Sequence, residues 1–206
     1  QDALDMLPFC KENGAVAVQM RPIEGEMLLP NPYFYSLYEK MSSLSMPLAI
    51  HVANGNPYVA EITGQRNFAA GFWKFRLPVV GSFHAIVYSG LADMFPKLRF
   101  AFVEASAQWV PYLLRDLKRR LPPEGRPWPQ DPMQHWRLFV TCQMEDDIPY
   151  LMKECGEEKG AVGTDYGHND PSTEIEVHRT LREESGVTHE QYRKIVDSNA
   201  VALYDL

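Results

Sequence analysis

Apolar residues along this chain fall into two patterns that take turns. Residues 2–13 carry Leu4, Leu7 and Phe9 at near-helical spacing and run into Gly14, a natural helix stop. Residues 15–20 form a compact apolar run bounded by glycine and proline, which predicts a strand. A helix over about 31–45 follows, then the run Leu48-Ala49-Ile50-His51-Val52. A long helical stretch over about 68–94 leads into Leu98-Arg99-Phe100-Ala101-Phe102-Val103-Glu104. The alternation continues with a helix over 109–121, a strand over 138–142, a helix over 146–155 and a strand over 160–164. Two helices, over about 172–184 and 188–203, close the chain.

The five strand runs are nearly all apolar, with no polar alternation, so both of their faces are expected under cover, as in a parallel sheet. Strands alternating with helices predict an α/β architecture with right-handed crossovers. The Pro-rich segment 122–129 interrupts nothing, because the alternation resumes directly after it; it reads as a surface loop, and residues 1–206 read as one domain. The longest apolar run, 77–95, could just span a bilayer. It contains His84, Asp93 and two internal glycines, and therefore reads as a buried helix. The opening Gln1, placed directly in a helical pattern, reads as a cut through a longer protein.

Composition adds exclusions. At 45% hydrophobic and 23% charged, the chain is ordinary globular material. Its net charge is −7, and the one basic run, Arg115 to Arg120, fits one face of a helix; nucleic acid and anionic membranes are therefore disfavoured as partners. Cys10, Cys142 and Cys155 are widely spaced and odd in number, which predicts a reducing, cytoplasmic setting and small buried hydrophobes rather than nucleophiles. No Gly-rich phosphate loop follows any strand, so a nucleotide enzyme lacks support.

In parallel α/β folds chemistry gathers where strands end. The first strand ends at Arg21, whose planar fork could hold a carboxylate or form a rim salt bridge. The second ends at His51, followed by Val52-Ala53-Asn54-Gly55, and a histidine there suits either a metal or a structural hydrogen bond. The third ends at Glu104, costly to bury without a partner: a base such as Arg99 or Arg137, a metal, or a substrate. The fifth runs into Thr164-Asp165-Tyr166-Gly167-His168-Asn169-Asp170. There Asp170 reads as a helix cap, whereas Asp165 and His168 have no such structural reading.

Pro47-Leu48-Ala49-Ile50-His51, the stretch from Phe95 to Glu104 with Trp109-Val110-Pro111, the segment Gly163 to Asp170 and the closing Lys194 to Tyr204 occur together and in this order. With them the chain resembles the amidohydrolase-related (amidohydrolase 2) family of metal-dependent hydrolases, decarboxylases and hydratases. The resemblance implies a (β/α)8 TIM barrel of which about five βα units, barrel strands four to eight, are present. It also implies that the first strand's ligand pair lies outside these residues. His51 maps onto a metal ligand, and Asp165 onto the residue that contacts the metal or its water and moves a proton. Many members carry a histidine where this chain has Glu104, a second catalytic candidate. Arg21, Asn54 and His168 are candidates for substrate contacts. The implied cofactor is a divalent metal, zinc first and manganese second, and the implied substrate a small carboxylated cyclic or aromatic compound. A homo-oligomer is compatible with this reading. The alternative is a catalytically silent barrel piece or interaction module without metal, because five βα units leave open sheet edges.

Overall fold

The computed structural model describes residues 2–52, 56–63, 71–122, 125–168 and 173–206. Where the pattern suggested one domain, the residues gather into two compact units. The first runs to Ala105 and the second from Ser106 to Tyr204.

The first unit opens with a helix, Asp2–Glu12, which ends as Gly14 turns left-handed at φ 90° and the Ala15 N–H bonds back to the Cys10 carbonyl. Strand β1 is Val18–Met20. A small antiparallel hairpin follows, β2 at Ile23–Glu24 and β3 at Met27–Leu28, which hydrophobic periodicity did not reveal. The helix Tyr35–Ser43 then leads to β4, Leu48–His51. A short helix, Pro57–Thr63, precedes a π-helical turn, Phe72–Arg76, and the helix Leu77–Tyr88. The apolar run over 77–95 is not one helix: Gly90 takes φ 83°, and a separate short helix, Leu91–Met94, begins after it. No described helix is long and apolar enough to cross a membrane.

Strand β5, Phe100–Val103, completes a parallel set in which β1 pairs with β4 and β4 with β5. Leu48, Ile50, Phe100 and Phe102 are fully buried, as the unbroken apolar runs require. Phe83 packs on Phe102 with ring centroids 4.9 Å apart, and the buried Tyr38 satisfies its hydroxyl by donating to the Leu29 carbonyl at 2.8 Å.

In the second unit the helix Val110–Arg120 buries Val110, Leu113, Leu114 and Leu117 and turns its basic residues outward. Strand β6, Leu138–Cys142, spans the foreseen residues. The helix Ile148–Cys155 is capped by Asp147, which accepts from the Tyr150 N–H, and leads to β7, Gly160–Val162, parallel to β6. The helix foreseen from residue 172 begins at Val177; Asp170, read as its cap, lies outside the described residues. The last helical stretch starts with a full capping box, Thr188 with Gln191, and is broken by a π-helical turn at Lys194–Ser198 before Asn199–Tyr204. The break brings the buried Asn199 amide onto the Glu157 and Gly160 carbonyls at 2.8 and 2.7 Å, fastening the entry to β7.

Candidate functional site

Strand register positions the first group. In the parallel pairing Ile50 lies level with Phe102 and His51 with Val103, so Glu104 is the next residue on the neighbouring strand. Glu104 takes φ 64°, a left-handed conformation uncommon outside glycine, asparagine and aspartate. Its carboxylate Oε2 stands 2.9 Å from His51 Nε2, with side chains 17% and 34% exposed, so the pair is sheltered but reachable. Of the bases considered beside Glu104 in the sequence, Arg99 donates to the Ser45 carbonyl at 2.8 Å and Arg137 to the His135 carbonyl at 2.7 Å. The other ring nitrogen, Nδ1 of His51, rests against the Val52 carbonyl oxygen. A carbonyl only accepts, so Nδ1 carries the proton and Nε2 of the neutral ring presents its lone pair towards Glu104. Lone pairs on nitrogen and carboxylate oxygen at that separation need a proton or a cation between them.

Arg21 is engaged by its own hairpin. Its Nη2 and Nε donate to Glu24 Oε2 at 2.6 and 3.1 Å, and its backbone N–H donates to Glu24 Oε1 at 2.9 Å. This is the rim salt bridge foreseen beside the substrate reading; Glu24 raises the Arg21 pKa, mainly through these hydrogen bonds. Asn54, the other contact foreseen in this unit, lies outside the described residues.

In the second unit Asp165 follows β7 and is again left-handed, at φ 52°. His168 Nδ1 lies 3.2 Å from Asp165 Oδ2, joining two of the residues singled out in the sequence. The Asp165 side chain is 23% exposed and that of His168 64%. Thr173 ties the same loop together, its hydroxyl donating to the His168 carbonyl at 2.9 Å, with Asp165 Oδ2 3.4 Å away.

One carboxylate escaped the sequence reading, which placed it simply at the head of a helix. Asp146, 8% exposed, accepts from the backbone N–H groups of Ala107 at 2.9 Å, Gln108 at 3.2 Å and Gln143 at 2.9 Å, and from the Ser106 hydroxyl. Gln108 answers with its side-chain carbonyl, which accepts from the Asp147 N–H at 2.8 Å. The available signal was the pair Asp146-Asp147 ahead of an apolar helix. Only one acid can cap it, so the other has a different partner.

The cysteines bear out their bland reading. Burial pushes the Cys142 thiol far up and the Cys155 thiol up to about 12, away from any nucleophilic thiolate. Both line a small apolar cavity with Val140, Leu151, Met152 and Ile195.

Comparison with known proteins gives a consistent picture. Among curated proteins none matches the chain in sequence. Among solved structures, an amidohydrolase from Mycobacterium avium subsp. paratuberculosis K-10 is similar at TM-score 0.80 and 20% identity, over 98% of this chain and 54% of that one. A 5-carboxyvanillate decarboxylase from Novosphingobium aromaticivorans, complexed with manganese and 4-hydroxy-3-methoxy-5-nitrobenzoic acid, is similar at TM-score 0.78 and 15% identity, over 99% and 60%. A 2,6-dihydroxybenzoate decarboxylase from Rhizobium is similar at TM-score 0.72 and 16% identity, over 98% and 66%. The chain thus spans between about half and two thirds of the length of these proteins. At such identities the likeness establishes the fold: α/β of the TIM-barrel type, of which this chain carries five parallel strands. The family model described as Amidohydrolase matches residues 2–206, and the chain belongs to that family.

Proposed function

We propose that this chain is the site-bearing part of a metal-dependent decarboxylase or hydrolase acting on small aromatic carboxylates. The observation that carries the reading is the His51 Nε2 and Glu104 Oε2 pair, 2.9 Å apart at the ends of adjacent parallel strands, in a chain matched by the family over residues 2–206. The donor set fits a divalent ion. The imidazole of His51 is held in the tautomer that frees Nε2, and a carboxylate faces that atom. His51 and Asp165 would hold the ion, as the family resemblance implies; zinc and manganese are both compatible, and the similar Novosphingobium decarboxylase contains manganese. A bound divalent ion supplies Lewis acidity towards a carboxylate or carbonyl oxygen of the substrate.

The chain's own residues then divide the work. Asp165 handles the proton, taking it from water in hydrolysis or delivering it to the ring carbon that loses carbon dioxide. His168, bonded to Asp165 Oδ2, orients that carboxylate and reaches solvent, where a substrate group can meet it. Arg21 receives a substrate carboxylate only by exchanging it for Glu24, whose oxygens already fill its fork. The three free cysteines support a cytoplasmic setting.

Elemental analysis of the complete protein and of its His51→Ala and Asp165→Ala variants tests the reading, together with carbon dioxide release from a panel of hydroxylated benzoates. Near-stoichiometric zinc or manganese in the parent, lost in both variants, and turnover of at least one benzoate are expected. A metal-free parent that turns over nothing would leave a silent barrel piece as the answer.

A further inference from the structure

The amidohydrolase resemblance leaves Glu104 as a departure, a glutamate where many members carry a histidine. Its geometry argues for a role of its own. Donors on one divalent ion stand about 2.1 Å from it. Two such donors at a right angle are roughly 3.0 Å apart, and at the tetrahedral angle roughly 3.4 Å. His51 Nε2 and Glu104 Oε2 are 2.9 Å apart, which fits the right angle. Three features make this more than a casual ion pair. The Nδ1 contact with the Val52 carbonyl leaves the Nε2 lone pair directed at the carboxylate. The Glu104 backbone is held left-handed at φ 64°, a conformation that costs free energy and persists where the surroundings impose it. The carboxylate is sheltered, at 17% exposure, where an uncompensated charge is expensive.

Resting on the metal-dependent reading above, we propose that Glu104 is itself a metal ligand, adjacent to His51 at a right angle. We also propose that the ion is six-coordinate, with Mn²⁺ preferred over Zn²⁺. A carboxylate added to imidazole hardens the donor set, and hard oxygen donors with octahedral angles suit manganese, whereas zinc favours the tetrahedron. Glu104 then belongs to the group that holds the ion rather than to the one that moves protons.

The test is titration of the metal-free complete protein with Mn²⁺ and with Zn²⁺ by calorimetry, and electron paramagnetic resonance of bound Mn²⁺. The variants are Glu104→Gln, Glu104→Asp and His51→Ala. Glu104→Gln keeps the shape and removes the charge. We expect it to weaken Mn²⁺ at least 100-fold and Zn²⁺ by a smaller factor, and to change the Mn²⁺ spectrum; Glu104→Asp recovers part of the affinity. Mn²⁺ binding to Glu104→Gln at parental affinity with an unchanged spectrum, while His51→Ala loses the metal, would overturn this inference and leave the functional reading intact. Equal weakening of both metals in Glu104→Gln would overturn the manganese preference. Should Glu104→Gln not fold, Glu104→Asp decides: a parental affinity and spectrum would count against ligation, and a partial loss with an altered spectrum would support it. A parent that binds neither ion, or a His51→Ala variant that binds like the parent, sinks the functional reading and this inference together.

Discussion

Glu104 and Asp146 are carboxylates that follow consecutive strands in chain order, β5 and β6, and both are sheltered from solvent. Their partners differ in kind. Asp146 accepts from three backbone N–H groups and a hydroxyl, donors fixed by the chain that no ligand can displace. Glu104 faces an imidazole nitrogen, a group that binds protons and metals reversibly. Asp146 also sits in a loop that its bonds hold in shape, whereas Glu104 carries a strained backbone angle. A sheltered acid is therefore not by itself a reactive one. Saturation by backbone donors marks a brace, and an exchangeable partner at a strained strand end marks chemistry.

Substitutions sharpen this contrast. The largest effect is expected at the strand-end acid assigned to proton transfer. Asp165→Asn should lower kcat about 10²- to 10⁴-fold on whichever benzoate is turned over, with little change in thermal stability. Activity within tenfold of the parent would remove Asp165 from that role. Next, Asp146→Ala strands four donors and should cost about 3 kcal/mol in urea denaturation. Glu104→Gly should be neutral or stabilising by about 1 kcal/mol, since glycine relieves the left-handed strain. Equal losses at the two positions would erase the distinction.

A smaller effect separates packing from chemistry among the thiols. Unfolded cysteine titrates near about 8.5, whereas burial holds Cys155 up to about 12 in the folded chain and raises Cys142 further. Their folded values lie above their unfolded ones, so this contribution to stability is fully present below about pH 8.5 and declines as pH rises towards the folded values. At pH 9.5 the loss is about 1 kcal/mol for each thiol. Replacing both with alanine should flatten the fall in melting temperature between pH 8 and pH 10; an unchanged slope would assign the fall to other groups. The smallest effect is foreseen at the rim. Arg21→Ala should move stability by about 0.5 kcal/mol or less, as exposed ion pairs do, and raise KM only if a substrate carboxylate displaces Glu24.

The strands were legible because burial on both faces demands unbroken apolar runs, and β4, β5 and β6 follow those runs almost to the residue. His51, Glu104 and Asp165 stood out because a polar residue closing such a run is hard to explain by packing. The hairpin at Ile23–Leu28 was not legible, since two-residue strands leave no period to read. The break at Gly90 was masked by the apolar residues on either side of it. The meeting of His51 with Glu104, and of Asp146 with Ser106 to Gln108, depends on strand register and loop return. Those join residues far apart in the chain, and local pattern carries no record of them.

The Asp146 brace has a consequence for amide exchange. The N–H groups of Ala107, Gln108 and Gln143 belong to loops, the segments whose amides ordinarily trade hydrogen for deuterium fastest. Each is bonded to one sheltered carboxylate, and the Asp147 amide is bonded to Gln108 in return. These four amides should keep their hydrogens about as long as the neighbouring strands do, so this stretch of loop would open with the sheet rather than ahead of it.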